Sequence, residues 1–227
     1  MALYEDRTYR IASGGERIDG VCLTAFIHNG NYFLTKIRVY QDGIIDCWEW
    51  VDFEGFKRKV RSGWVVTQLP PDAEVNVYPL GSFRATHVMY EIAPEEFIKE
   101  VSDVIEVLNG RPMTGDRCRD AWAAYQASPN DATREVLRVA YEAIPRHNRD
   151  YVLGNMDTND RPIRRVLYPD VERCRSAWAA YESYPDSAHK AVLRATYEAL
   201  PEDKRIDAVS NRHLNDLPIR RVLYPSS

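Results

Sequence analysis

The chain has 227 residues, 44% hydrophobic and 11% aromatic, with 30 basic and 34 acidic side chains and a formal charge of −4. This is the composition of folded protein and excludes a long disordered chain. Residues 1–112 hold 12 basic and 17 acidic side chains and residues 113–227 hold 18 and 17, so neither half has the basic excess of a dedicated nucleic-acid binder.

The opening Met1-Ala2-Leu3-Tyr4-Glu5-Asp6 has neither the basic n-region nor the apolar h-region of a signal peptide. No apolar run approaches the roughly 20 residues a membrane span needs. Cys22, Cys47, Cys118 and Cys174 form no C-x-x-C and have no His at metal-ligand spacing. A reduced, cytoplasmic protein without membrane attachment is expected.

Residues 8–92 read mainly as strands. Asn29-Gly30 and Asp42-Gly43 each divide alternating runs and predict two-residue hairpin turns. The first turn would set Phe26 opposite Phe33. The second would set Lys36 opposite Glu49, a favourable cross-strand charge pair, and Ile37 opposite Trp48. One sheet face would be aromatic, and the other would carry Val21, Leu23, Ala25, Ile27 and Leu34. A sheet apolar on both faces needs a cover on each. Two helices are available: one capped by Asp52 and carrying Phe53, Phe56 and Val60, the other entering at Pro94 and stopping at Asn109-Gly110. Further strands are expected at 64–69, 74–80 and 84–92.

Beyond the linker, residues 117–169 superimpose on 173–225 with an offset of 56, no gap and 29 identities in 53 positions, an internal duplication. Each unit reads as helices. Cys118, Ala121, Trp122 and Tyr125 are spaced for one helical face, Val136, Leu137, Ala140, Tyr141 and Ile144 form a second stripe, and Pro145 and Pro201 end it. The last helix of each unit enters through Pro162 or Pro218 behind an expected cap at Asp160 or Asp216. Two such units are expected to share one core. The fold class is therefore α+β: a mainly antiparallel sheet with two helices (1–112), then two all-α repeat units (113–169 and 170–227).

The run Ile45-Asp46-Cys47-Trp48-Glu49 through Phe53, with Gly63-Trp64-Val65-Val66, resembles a bacterial domain family of unknown function. The run Tyr141-Glu142-Ala143-Ile144-Pro145 leading to Tyr151-Val152-Leu153-Gly154-Asn155-Met156-Asp157, with Asp160-Arg161-Pro162-Ile163-Arg164, resembles a second family that follows the first. The resemblance implies no activity. The second copy departs from it, with Val209-Ser210-Asn211-Arg212-His213 in place of Leu153-Gly154-Asn155-Met156-Asp157.

No phosphate-binding loop, nucleophile elbow or metalloprotease motif is present. Asp157-Thr158-Asn159-Asp160 is rich in oxygen ligands but lacks the downstream bidentate Glu of a calcium loop. No catalytic residue, metal ligand or cofactor is assigned. Two places invite a partner. The doubled pairs Arg164-Arg165 and Arg220-Arg221 would point away from Ile163, Val166 and Leu167, and their forked guanidiniums suit carboxylates or phosphates. Asp46 with Trp48 would lie on the aromatic face, where the carboxylate could act as a general acid or simply bind an Arg or a Trp N–H. The expected function is non-catalytic protein binding, of a bacterial interaction, immunity or defence type. An enzyme with its site at the domain interface and a weak nucleic-acid binder using the Arg pairs remain as alternatives.

Overall fold

The computed structural model describes residues 6–86, 91–154, 159–209 and 215–225. The chain divides into two units, Met1–Met113 and Thr114–Ser227.

In the first unit β1 (Arg7–Ile11), β2 (Arg17–Asn29), β3 (Asn31–Tyr40), β4 (Ile45–Asp46) and β5 (Trp50–Val51) pair in that order. After α1 (Phe53–Arg61), β6 (Val65–Val66) pairs with β2, and β7 (Ala73–Val77) pairs with both β3 and β8 (Gly81–Ala85). The β3–β7 pairing is parallel and the others are antiparallel. Helix α2 (Pro94–Leu108) closes the unit. β2 is amphipathic with period two: Val21, Leu23, Ala25 and Ile27 are buried, and Thr24 and His28 are exposed.

Both hairpin registers differ by one residue from the sequence expectation. Ile27 faces Phe33, and Phe26 faces Leu34. Gly30 alone separates the paired Asn29 and Asn31, at a φ of 78°, where a side chain would be strained. The second connection is a three-residue loop, 41–43, with Gly43 at φ 81°. Gly43 N–H donates to Tyr40 O at 2.9 Å and Tyr40 N–H to Ile44 O at 3.0 Å. Such a loop shifts the strands by one residue relative to a two-residue turn, so Arg38 rather than Val39 stands opposite Asp46. Lys36 then pairs with Asp6 at 2.8 Å, and Glu49 with Lys59 at 2.7 Å. The expected Lys36–Glu49 and Ile37–Trp48 pairs do not form.

A one-residue slip moves side chains to the opposite face, and the covers follow. Both helices lie on the same side. Phe56 and Val60 of α1 and Phe97, Ile98, Val101 and Val104 of α2 join Val21, Leu23, Ala25, Ile27, Ile37 and Val39 in one cluster. The expected cover on each face is thus replaced by two on one, and the other face leaves Thr24, Leu34, Lys36 and Arg38 exposed. The helix ends are as expected. Asp52 Oδ1 accepts from Gly55 N–H at 2.7 Å, and Asn109 Nδ2 donates to Ile105 O and Gln41 O, both at 2.8 Å, tying the end of α2 to the sheet. Arg61 clamps Glu95 through two hydrogen bonds of 2.8 and 3.0 Å. Residues 78–80, expected in a strand, instead form the β7–β8 turn, where Tyr78 and Leu80 stand exposed. Residues 87–90 of the last expected strand lie outside the described residues.

In the second unit α3 (Thr114–Ala127) and α4 (Asp131–Ala143) form an antiparallel pair. A 3-10 turn (Arg146–Tyr151) and α5 (Arg161–Leu167) follow. Then α6 (Pro169–Ser183), α7 (Ser187–Glu198), α8 (Glu202–Arg205), a second 3-10 turn (Ile206–Ala208) and α9 (Leu217–Leu223) retrace the same path. Asn130 and Asp186 cap α4 and α7 by accepting from Thr133 N–H and His189 N–H. The expected shared core is not what forms. One cluster holds Cys118, Ala121, Leu137, Tyr141, Ile144, Val152, Ile163 and Leu167. A second holds their counterparts 56 residues on: Cys174, Ala177, Leu193, Tyr197, Leu200, Ala208, Ile219 and Leu223. Tyr168 packs against both. Each fully buried Leu or Ile contributes about 1.5–3 kcal/mol, so each cluster holds its own helices together and the link between them is left to other contacts.

Candidate functional site

That link is ionic. Arg164, expected on the outer side of α5, is buried. Its Nη1 lies 2.6 Å from Asp160 Oδ1, and its Nε donates to Glu172 Oε2 of α6 at 2.9 Å. Arg161 reaches the other oxygen of Glu172 at 3.4 Å. Asp160 is wholly buried and makes no cap hydrogen bond to α5. Its Oδ2 instead accepts from the Tyr141 hydroxyl, whose ring lies under Arg149 at 5.0 Å. The capping role expected of Asp160 is therefore overturned: Tyr141 and Arg164 use both of its oxygens. The helix dipole still favours a carboxylate there. Desolvation opposes charge on Arg164, but Asp160 and Glu172 outweigh it and raise its pKa. Arg175 of α6 lies in the same interior. Burial, then the nearby Arg164, lowers its pKa, and its Nε donates to Asp207 O at 2.5 Å. Arg146 adds a second contact between the halves, to Asp207 Oδ1 at 3.1 Å and Ile206 O at 3.0 Å.

The equivalent cluster 56 residues on is only half built. The Tyr197 hydroxyl donates to Asp216, and Arg205 lies over the Tyr197 ring at 5.2 Å. Asp216 likewise makes no cap hydrogen bond. Arg220, however, is exposed, as are Arg165 and Arg221. Position 150, Asp in the first half, is Ile206 in the second, and Arg161 becomes Leu217.

Family models cover this architecture. Residues 7–112 match a domain of unknown function, DUF7638. Residues 113–171 and 170–226 each match a second domain of unknown function, DUF7639. The chain belongs to these two families. No curated protein and no solved structure matches it.

In the DUF7638 unit, Asp46 sits on the uncovered sheet face. Its Oδ2 accepts from Arg38 Nη1 at 2.8 Å and its Oδ1 from Trp48 N–H at 3.2 Å. The carboxylate thus has the Arg partner that the sequence allowed as an alternative to acid catalysis. Trp48, at φ 70°, turns away from Asp46: its indole N–H donates to Thr35 at 3.4 Å and its ring meets Phe33 at 5.3 Å. Trp50 stands directly across from Asp46 and stacks on Tyr40 at 5.6 Å. The Arg10 guanidinium lies over both rings, at 5.4 and 5.7 Å, and pairs with Asp42. The Tyr40 ring rests on Gly20, where a Cβ would come within 2.7 Å of it. No linear spacing in the sequence marks this Arg10–Tyr40–Trp50 ledge.

In the DUF7639 units the thiols are core atoms. Burial pushes Cys118 up to about 12 and raises Cys174, which keeps both protonated and unreactive at neutral pH. Asp157 and Thr158 lie outside the described residues, and Asn159 adopts φ 51°. Among the described residues no group of three His, Cys, Asp or Glu is placed to hold a metal ion, and no helix is long and apolar enough to cross a membrane.

The network carries an alkaline signature. Desolvation first, then the charge of Asp160, holds the Tyr141 hydroxyl well above its ordinary value of 10.0. Tyr168 and Tyr197 are raised by burial and by their hydrogen bonds to Glu142 and Asp216. A raised folded-state pKa gives stability that is complete below the unfolded pKa and is lost as pH rises toward the folded one. The DUF7639 half should therefore lose stability above about pH 10. Tyr141→Phe should cost about 1–2 kcal/mol at neutral pH and flatten the alkaline loss. Urea midpoints of both proteins across the alkaline range read this directly, and parallel curves would refute it.

Proposed function

We propose that the chain is a non-catalytic, cytoplasmic protein-binding module of a bacterial interaction, immunity or defence type, and that the uncovered DUF7638 sheet face is its principal docking surface. The observation that carries this reading is the exposure of Trp50, at 59%, beside the Arg10–Tyr40 stack. Trp, Tyr and Arg dominate the binding energy of protein interfaces, and a sheet whose helices both lie behind it leaves such residues available. Trp48 meets Thr35 and Phe33, which alternate along β3 with the open-face residues Leu34 and Lys36, so Trp50 marks this surface. Arg165, Arg220 and Arg221 supply a second, charged surface on the DUF7639 half. Arg164 leaves that set, because its partners are internal.

Tagged chain incubated with nuclease-treated lysate should retain a polypeptide that Trp50→Ala bait does not. The Trp50 side chain is 59% exposed, so the variant keeps its fold. Equal retention by both baits, or none by either, would reject the sheet face as the docking surface.

A further inference from the structure

Strand β8 ends the sheet on its β7 side. Among the described residues it pairs with β7 alone, so the other side of its backbone presents N–H and C=O groups that a further strand would satisfy. The other five-residue edge, β1, carries Arg7 and Arg10, charged side chains of the kind that blunt an edge against pairing. β8 carries a single charge, Arg84, which stands across from Glu74 of β7, and its central side chain is Phe83, 54% exposed.

The β7–β8 hairpin has two distinct faces. Ala73 with Ala85, Val75 with Phe83 and Val77 with Gly81 make one face apolar, and Glu74 with Arg84 and Asn76 with Ser82 make the other polar. Val75 is the register partner of Tyr32 on β3. Tyr32 alternates along β3 with Phe33 and shares the side of Leu34 and Lys36, so the Phe83 row belongs to the open face of the sheet.

We infer that a second copy of the chain pairs its β8 antiparallel with this one, about a two-fold axis at Phe83, and continues the sheet from copy to copy. The complement of an edge backbone is another extended backbone, and β8 is complementary to itself, as a two-fold interface requires. In this register Phe83 meets the partner's Phe83, Ser82 meets the partner's Arg84 and Gly81 meets the partner's Ala85. Apolar rows then meet apolar rows, polar rows meet polar rows, and no like charges are opposed. An axis at Arg84 would set two guanidiniums against each other, and an axis at Ser82 would run the strand into the 78–80 turn. The axis of such a pairing stands perpendicular to the sheet, so the open faces of both copies look the same way and carry their Trp50 ledges on one doubled surface. Five residues of strand bury less than the roughly 800 Å² per partner of a standard interface, so the dimer is weak and depends on concentration.

Sedimentation velocity of the full chain should show a mass that rises toward that of a dimer as concentration goes from micromolar toward millimolar. Phe83→Lys should raise the dissociation constant at least about tenfold. Phe83 is 54% exposed, so the variant folds, and an unchanged circular dichroism spectrum verifies that. Disulfides read the register. Phe83→Cys should give a cross-linked dimer on mild oxidation, above the wild-type background, because directly opposite residues of an antiparallel ladder have Cα atoms about 4.5–5.5 Å apart, within disulfide range. Ser82→Cys should stay at background, because its counterpart lies on the diagonal, about 7–8 Å away. A monomer at every concentration, a dimer indifferent to Phe83→Lys, or equal cross-linking at 82 and 83 overturns the inference. The Trp50→Ala bait experiment is independent of all three results, so the two readings fail separately.

Discussion

Arg164→Ala is expected to destabilise the helical half by about 3–5 kcal/mol, whereas Arg220→Ala at the equivalent position should change stability by less than about 0.5 kcal/mol. The contrast is large because the surroundings differ and the residue does not. Arg164 neutralises two carboxylates, one wholly buried and one nearly so, and removing it takes from Asp160 its 2.6 Å ion pair and from Glu172 the nearer of its two arginines. Arg220 stands in water. Lys at 164 should rescue only part of the loss. The native contacts use Nη1 toward Asp160 and Nε toward Glu172, and a single ammonium cannot reproduce that fork. The triple change Asp160→Asn, Arg164→Met, Glu172→Gln should fall well short of the sum of the single losses, since it removes the charges together with their partner. Denaturant midpoints of these variants decide the matter. Equal effects at 164 and 220 would show that the clasp between the halves carries no energy.

Phe56→Ala is expected to cost about 3–5 kcal/mol in the sheet unit. Phe56 is fully buried, and its ring meets that of Phe97 at 5.9 Å where α1 and α2 cross behind the strands. Truncation leaves a cavity bounded by Phe97 and by strand residues that the hydrogen-bonded ladder prevents from collapsing. Each unit has its own buried cluster, so hydrogen exchange should show faster opening of amides in β2, β3 and α2 while α4 and α7 keep their protection. Uniform loss across the chain would mean that the two units unfold as one. Trp50→Ala, on the open side of the same sheet, should have little effect on this protection, which separates its proposed binding role from a structural one.

Much of the architecture was legible in the residues. Asp52 and Asn109-Gly110 mark helix ends through local hydrogen bonding that depends on few distant atoms. The 56-residue offset identified matching helices because their eight core positions recur in identical or closely similar form. The errors have a common origin in geometry that spans elements. Asn-Gly and Asp-Gly signal a turn, but they do not say whether one, two or three residues lie between the strands, and one residue decides which face every side chain joins. From that single slip follow the misplaced partners of Lys36 and Glu49 and the expectation of a helix on each face. Ile163, Val166 and Leu167 define the apolar side of a short helix, and from them alone Arg164 belongs outside. The signal pointing the other way was present: Asp160 stands four residues before Arg164, the spacing of an intrahelical ion pair. That same spacing at Asp216 and Arg220 ends in a different environment, because burial at 164 depends on Glu172, eight residues further along. The Arg10–Tyr40–Trp50 ledge joins three strands and has no linear spacing to reveal it.

The long β2–β3 hairpin also sets an order in time. Its ten cross-strand partners run from Asn29 with Asn31 to Gly20 with Tyr40, so the ladder can close like a zipper from its glycine turn, each step adding only a short loop. The parallel strand β7 meets β3 through Tyr32 and Val75, residues far apart in the chain, and closing that loop carries a greater entropic cost. The hairpin is thus fitted to be the early scaffold of the sheet unit and the β7–β8 flap its late addition. A nascent chain would hold an organised ribbon well before the strand that completes its far edge has been joined to it.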